Sequence, residues 1–589
     1  MEFIDNLTKN TDEIQTKVLA EILSRNADVE YLKRHGLNGH TDREAFKKSV
    51  PVISYEDIQS DIKRIANGDK SQILCSEPIS EFLTSSGTSG GERKLMPFTE
   101  EELRRRVTFN SLLMPVISHF VPGLDRGKGM YFLFVKSDSK TPSGLLARPA
   151  LTSYYKSSLF KNRPYDPYTN YTSPNEAILC QDYYQSMYSQ MLCGLCQNKQ
   201  VLRVGSIFAS SFIRAIRFLQ EHWSLLCHDI RTGTLNSKII DPLVREAVMR
   251  TLKPEPELAD FIELECRKES WQGIIPRLWP NIKLIDVIVT GTMSQYIPML
   301  DYYGNELPIV SSLYASSECY FGINLDPLCK PSDVSYTFIP TMAYFEFLPL
   351  NRSIDDGNVV WGSISVGESF NGEKQQELVD LVDVKLGQEY EVVVTTYTGL
   401  YRYQIGDVLR VAGFKNNAPQ FNFVCRKNVI LSIDSDKTDE TELQHAVEKA
   451  ASHLISFDAC VAEYTSYADT TKVPGHYVLY WELSQSASSR RIPPTVFEDC
   501  CFTIEESLAS TYRQHRVHGA ISPLELRIVE TGTFDKVMDY VISLGASISQ
   551  YKTPRCVKSA PILEVLNSRI LSCYFSPKCP EWKPPQWNN

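Results

Sequence analysis

Apolar and polar positions along the chain alternate with two periods. From Thr11 the residues Ile14, Val18, Leu19, Ile22 and Leu23 recur at helical spacing, with Asp12 and Glu13 at the end that favours negative charge. After Pro51, apolar runs at 81–83 and 95–98 flank a stretch rich in Ser, Thr and Gly, which predicts a loop with accessible backbone N–H groups. Thr99 and Glu102 stand at capping-box spacing and open a predicted helix carrying Leu103, Val107, Leu113, Val116 and Phe120. Strand-sized runs follow at 130–135, 201–208, 284–289 and 309–313. They alternate with helical stretches such as 212–227, whose cap candidates are Ser210 and Ser211. This alternation predicts α/β sheets. From 344 to 424, short strands with Gly turns predict a β-rich subdomain. Charge replaces apolar content around 426–439, and a new order begins: helix 442–454, strands 459–467 and 476–483, helix 497–512, strand 524–529, helix 534–544. That is a small α+β unit of the usual domain size, ending in the Pro-rich tail CPEWKPPQWNN, which predicts a loose terminus.

A chain of 589 residues exceeds the roughly 250 to 300 that one core sustains, so two unequal domains are expected, a large one over 1–427 and a small one over 428–589. Apolar residues at 43% and charged residues at 22% exclude wholesale disorder. A net charge of −10 gives no basic field for a polyanion, which argues against nucleic acid. No apolar run approaches the ~18 residues of a spanning helix, and the start MEFIDNLTKNTDEIQ lacks the order of a secretion signal, so a cytosolic protein off the membrane is expected. The 15 cysteines, odd in number and scattered, read as reduced thiols. Cys193 and Cys196 form a CxxC with no second ligand pair, so structural zinc is disfavoured.

Four segments can carry chemistry. In SSGTSGGERK, hydroxyls and glycines can wrap donors around a phosphate, with Lys94 adding charge. No GK[ST] follows, so it is not a Walker A; a plain flexible loop and a GxSxG serine elbow (Gly87, Ser89, Gly91) remain open beside the phosphate reading. YASSECYFG follows the 309–313 strand, as ligand-binding loops do; its Glu318 can hold Mg²⁺ or be a solvated carboxylate. In YRYQIGDV, Asp407 after a Gly can accept both hydroxyls of a ribose or be an ordinary turn residue. In QYKTPRCV, Lys552 alone reads as a solvated lysine.

Taken in order, SSGTSGGERK, YASSE, YRYQIGD and QYKTPR resemble the motifs of adenylate-forming enzymes, and more closely those of the plant Gretchen Hagen family of acyl acid amido synthetases. The similarity runs over essentially the whole chain, through ILSRNADVEYLKRHGLNG, LTSYYKSSLFKNRPYDPYTNYTSPNE, VIVTGTMSQYIPMLDYY and IVETGTFDK. The wording of YASSECYFG and LTSYYKSS is most similar to the members that conjugate indole-3-acetic acid (auxin), rather than the jasmonate or benzoate branches. The resemblance implies a firefly luciferase-like adenylating fold, with a large N-terminal domain and a small mobile C-terminal one. It also implies an ATP- and Mg²⁺-dependent ligase that adenylates an acid, releasing pyrophosphate, and then lets an amino acid displace AMP.

By resemblance, Ser85, Ser86, Thr88, Thr292, Tyr314, Ser317 and Asp407 would bind the nucleotide, with Tyr314 near the adenine. Glu318 would hold the metal and Lys552 would meet the α-phosphate. Arg106, Leu113, Leu151, Tyr155, Ile207, Ala315 and Tyr320 would form the acyl-acid site, with Arg106 pairing the carboxylate. Thr152, Ser153, Thr531, Gly532 and Thr533 would meet the amino acid. Where other adenylating enzymes have Thr before their GD, this chain reads YRYQIGD, which leaves the role of Gln404 undefined. Rival classes are a serine hydrolase, a CoA ligase and a non-catalytic acid receptor.

Overall fold

The computed structural model describes residues 1–89, 92–136, 138–355, 358–363, 365–368, 374–376, 378–426, 431, 433, 438, 440–469, 471, 474–485, 491–517, 519, 521–543, 551–557 and 559–582. The fold is mixed α/β, with a large N-terminal part and a smaller C-terminal α+β part.

Two sheets dominate the large part. One has four parallel strands in chain order, Lys128–Tyr131, Val201–Phe208, Leu284–Ile288 and Ile309–Val310, with helices Tyr183–Cys196 and Ala209–Thr232 among the crossovers. Its strands are buried and rich in β-branched residues, as expected where helices cover a parallel sheet. The other, with nine strands among the described residues, runs from Asn358–Ser363 through Tyr344–Asp355, Glu389–Thr395, Tyr403–Lys415 and Ala418–Arg426 to Leu313–Ala315. Phe338, Phe347 and Phe421 pack ring to ring in its core, Phe338 and Phe421 at 4.7 Å between centroids. The N-terminal helices cover it. Gln15 on Thr11–Arg25 donates to the carbonyls of Pro340 and Ala343 at 2.7 Å and accepts from Phe345 N at 2.8 Å, so one side chain satisfies three backbone groups at that seam.

The C-terminal part is a four-stranded sheet, Ala459–Asp469, His476–Gln485, Glu525–Val529 and Ile570–Phe575, with Glu440–Ala451 and Pro494–Ser507 packed together on its own apolar cluster. No helix among the described residues is long and apolar enough to cross a membrane.

Several expectations shift. The stretch expected as a loop is mostly a hairpin, Glu81–Ser89 against Glu92–Phe98; the ladder breaks between Thr84 and Thr88, so residues 85–87 bulge. The helix expected from Leu103 to Phe120 is two, Glu100–Asn110 and Leu113–Phe120. The break places Pro115 in the first turn of the second, where its missing N–H costs nothing. Ser210 and Ser211 do not cap: strand runs directly into helix at Phe208, and both serines fall in the first turn. The run 130–135 is strand only to Tyr131: Phe132 N still donates to Gly205 O at 3.0 Å, but Phe132 O accepts the Ser206 hydroxyl at 3.1 Å, and on the open edge the buried Gln190 side chain takes Leu133 N (3.1 Å) and Leu133 O (2.8 Å) in place of a strand. The run 309–313 is divided between the two large sheets. The helix expected over 497–512 breaks after Ser507, and Ala509 N donates to the Glu442 carboxylate at 2.6 Å instead. Residues 583–589, most of the tail expected to be loose, lie outside the described residues.

Candidate active site

The chain passes from the parallel sheet to the large mixed sheet at Ser311 and Ser312, at the carboxyl edge where ligands bind in α/β folds. Ser311 Oγ lies 2.9 Å from the Tyr336 hydroxyl and accepts from Val289 N at 3.3 Å, while Thr290 Oγ1 lies 3.1 Å from the same hydroxyl, so the two sheet ends are tied together. Beneath them Asp286 accepts from Tyr131 at 2.7 Å and Ser312 at 3.3 Å. Burial raises its pKa above the ordinary carboxylate value, and those two hydrogen bonds and Arg203 pull it back only in part.

YASSECY forms a tight hairpin, Leu313–Ala315 against Tyr320–Ile323, with Ala315 paired to Tyr320. Ser316 Oγ accepts from the backbone N–H groups of Glu318 and Cys319 at 3.2 and 3.3 Å, a side-chain turn. Arg106 supports this turn from behind. Its Nη2 donates to the carbonyls of Ser317 (3.0 Å) and Glu318 (3.3 Å), its Nε donates to Glu102 at 2.9 Å, and the guanidinium carbon lies 4.8 Å from the centre of the Tyr320 ring. The expected two-pronged grip on a substrate carboxylate is therefore not available. Nη1, buried and without a hydrogen-bond partner among the described residues, is the donor that remains.

Asp407 owes its direction to a bulge. Val393 pairs with Gln404 and Glu391 with Val408, so the three residues 405–407 stand against Val392 alone, and Gly406 turns the chain at φ +83°, a region open to glycine. The Asp407 carboxylate, 5% exposed, accepts the Tyr314 hydroxyl at 2.7 Å. Tyr314 is in turn fixed by stacking on Phe321 at 4.4 Å. The second and third motifs thus meet side chain to side chain.

Leu151 and Tyr155, on Ala150–Lys156, share one apolar cluster with Ile207 at the end of Val201–Phe208. Leu113, Ala315 and Tyr320 pack with the neighbouring large cluster. Thr152 and Ser153 are fully buried and engaged. Thr152 Oγ1 accepts from Lys136 N at 3.1 Å, and Ser153 donates to Glu81 at 2.6 Å, where Arg148 also binds. Thr531, Gly532 and Thr533 form the turn into Thr533–Ser543. There the Glu482 carboxylate caps the helix, accepting from Gly532 N at 2.9 Å and Phe534 N at 3.0 Å.

Lys552 belongs to the C-terminal part, yet its Nζ lies 4.8 Å from the ring centre of Phe208, the residue after Ile207. The side chains of Ser85, Ser86, Thr88 and Thr292 lie outside what the structure describes, so those phosphate and nucleotide expectations have no geometry here. A strand, Glu92–Phe98, follows Ser89 after residues 90–91, and a serine elbow requires a helix directly after its serine. Glu318 is buried at 4% exposure and takes no ion pair from a described residue. No group of three His, Cys, Asp or Glu among the described residues could hold a metal alone. One hard carboxylate with no counter-cation among the described residues fits Mg²⁺, which is usually bound through one or two carboxylates and the substrate's own phosphates. Sequence reasoning missed Glu463, which sits within 3 Å of donors from both parts of the chain; its signal is a carboxylate in the middle of the strand ACVAEYTSYAD.

Residues 1–309 match the GH3 family N-terminal domain, 336–426 the GH3 family central domain and 441–561 the GH3 family C-terminal domain. Indole-3-acetic acid-amido synthetase GH3.6 of Arabidopsis thaliana is 72% identical over 100% of this chain and 96% of its own length, and GH3.5 of the same plant is 70% identical over the same shares. The solved structure of the GH3.15 acyl acid amido synthetase is similar at a TM-score of 0.89 and 47% identity, over 99% of this chain and 98% of that one. That enzyme has also been solved in complex with 2,4-DB, at a TM-score of 0.88 to this chain.

Proposed function

Because the chain belongs to the GH3 family, we propose that it is an acyl acid-amido synthetase that adenylates indole-3-acetic acid with ATP and joins it to an amino acid through an amide, releasing pyrophosphate and AMP. The observation that carries this reading is the buried Tyr314–Asp407 hydrogen bond, which joins two motifs 93 positions apart. In the proposal residues 1–427 hold ATP and the acid, and 428–589 bring Lys552.

The chemistry asks for each part. A carboxylate oxygen is a poor leaving group, so it is first made into AMP, and charge building at the α-phosphate needs donors. In this reading the residues 85–88 present hydroxyls to phosphate, with Thr292 and Ser317 nearby. Asp407 accepts the ribose hydroxyls, and Tyr314 orients Asp407 from beneath the adenine. The acid lies among Leu113, Leu151, Tyr155, Ile207, Ala315 and Tyr320, with its carboxylate toward Arg106 Nη1. Mg²⁺, on Glu318, would supply Lewis-acid charge neutralisation at the phosphates. The amino acid would enter beside the Thr531–Thr533 turn; the engaged hydroxyls of Thr152 and Ser153 would then shape that wall rather than contact it.

The test is pyrophosphate release with a panel of acids and amino acids, with and without excess chelator. Release that depends on indole-3-acetic acid and on Mg²⁺, with AMP appearing only when an amino acid is added, supports the reading. AMP release by coenzyme A instead would move the protein to the thioester ligases. Acid binding without pyrophosphate would make it a receptor.

A further inference from the structure

Among the described residues, the segment 551–557 that carries Lys552 contains no helix or strand; it is held to the strand Ala459–Asp469 by a β-bridge from Ser466 to Cys556, by the hydroxyls of Thr465 and Ser466, and by one carboxylate. Glu463 lies in the strand Ala459–Asp469, at a register break between Val461 and Glu463 that turns its side chain out of the ladder. Its Oε2 accepts from Thr553 Oγ1 at 2.9 Å and its Oε1 from Arg555 Nη1 at 2.6 Å, so the residues one and three places after Lys552 are both fastened to it. Arg555 Nη1 also donates to Tyr464 O at 2.6 Å, and its own carbonyl accepts from Ser466 N at 2.9 Å. Glu463 then reaches across to the large part, where Oε2 accepts the hydroxyl of Tyr296. Tyr296 ends the short 3-10 helix Gly291–Tyr296, the segment that also carries Thr292. A second cross-link falls on the same helix, Gln444 Nε2 donating to Ser294 Oγ at 3.2 Å.

Burial opposes ionisation of Glu463, but Arg555 and the Tyr296 hydroxyl outweigh it and hold its pKa below the ordinary value. The group is a charged acceptor, for which a hydrogen bond is worth more than between neutral partners. Neither Tyr296 nor Glu463 belongs to the set that would touch acid, nucleotide or amino acid.

We infer that Tyr296 and Glu463 form a latch between the two parts of the chain, and that Glu463 is a positioning residue: it sets the segment 551–557, and through it Lys552, against the large part for adenylation. The inference rests on the proposed function for the reaction it serves, but the contact itself does not. Only the adenylation half needs Lys552 at the acid-activating site, so the latch serves that half alone; attack of an amine on a finished acyl-adenylate proceeds without it.

The experiment uses the full chain with Tyr296→Phe, which keeps the ring and removes only the cross-link. Acid-dependent pyrophosphate exchange should fall about 10- to 100-fold, the range of a hydrogen bond to a charged group. The fall should lie in kcat with KM for ATP and acid little changed. Aminolysis of supplied acyl-adenylate should stay within about twofold of wild type. In a Lys552→Ala background the same change should cost nothing further, because it acts through Lys552. Hydrogen exchange of the 551–557 amides should quicken in Tyr296→Phe whether or not any acid turns over. Normal pyrophosphate exchange, a parallel fall of both half-reactions, or full additivity with Lys552→Ala would each overturn the latch. A wild-type protein that makes no pyrophosphate with any acid would instead overturn the proposed function, and the amide exchange would then decide the latch by itself.

Discussion

Tyr314→Phe separates the two tasks of that side chain. The ring keeps its 4.4 Å stack on Phe321, while the hydroxyl that donates to Asp407 at 2.7 Å is lost. Asp407 stays in its bulge, but its carboxylate has lost a donor that fixed its rotamer before any ligand arrives. ATP must then order that side chain on binding, at about 0.5 to 1.5 kcal/mol for one immobilised side chain, or roughly 2- to 12-fold in Kd. Asp407→Ala removes the acceptor itself, about 1.5 to 3 kcal/mol for a charged hydrogen bond, so it should be the more severe variant. The assay is calorimetric titration of ATP and of 2′-deoxy-ATP without acid, so that nothing turns over. Wild type should prefer ATP, and Tyr314→Phe should narrow that preference along with its weaker binding. The two residues act in series, so adding Tyr314→Phe to Asp407→Ala should change little. If Tyr314→Phe weakens ATP as much in the Asp407→Ala background as in wild type, the hydroxyl does not act through Asp407 and the reasoning fails.

The other predictions address the cation, the acid and acid stability. Lys552→Ala should slow acyl-adenylate formation by ~10² to 10³, the usual cost of one donor aimed at developing charge, with Lys552→Arg a partial rescue; single-turnover pyrophosphate release reads it, and an unchanged rate would return Lys552 to a surface lysine. Indole-3-acetic acid should outcompete jasmonic acid at equal concentration, because Tyr155 and Tyr320 offer flat ring faces; a higher kcat/KM for jasmonate would refute this. Although burial opposes it, His476 and Arg527 depress the pKa of Glu525 from 4.5 to about 2. A depressed carboxylate stabilises the fold above its unfolded pKa, so this contribution should be intact above about pH 5 and lost as the pH falls from about 4.5 toward 2. Glu525→Gln should flatten the acid-unfolding curve of the C-terminal part in that window by circular dichroism, and an unaltered curve would exclude the linkage.

Periodicity is a property of neighbours in sequence, and it served wherever neighbours decide the structure. Thr11–Arg25 and Val201–Phe208 agree with their apolar spacing, and Thr99 Oγ1 accepts Glu102 N at 3.2 Å where the capping pattern put it. It failed where a distant group intervened. Nothing local says that Gln190 will replace a strand beside Leu133, or that Glu442 will end a helix at Ala509. In the Ser- and Gly-rich stretch the composition marked an irregular backbone but not that both arms pair as strands, because pairing of Glu81–Ser89 with Glu92–Phe98 is decided by register.

The site shows the same division in a sharper form. Motifs name the residues whose chemistry is unusual, and Asp407, Glu318 and Tyr314 are gathered at one sheet edge. What motifs cannot show is how many of a side chain's donors the scaffold has already taken. Arg106 reads in sequence as a planar fork for a carboxylate, yet Glu102, one turn earlier on the same helix, occupies its Nε, and two carbonyls of the turn behind Glu318 occupy Nη2. Replacing Arg106 by Lys should therefore damage the turn as well as any acid contact, because a single ammonium cannot span Glu102, two carbonyls and a substrate at once. The loss should appear in the KM for ATP as much as in the KM for the acid, measured by pyrophosphate release at varied concentrations of each. A loss confined to the acid would mean that the guanidinium serves the substrate and that the carbonyls of Ser317 and Glu318 hold their turn without it.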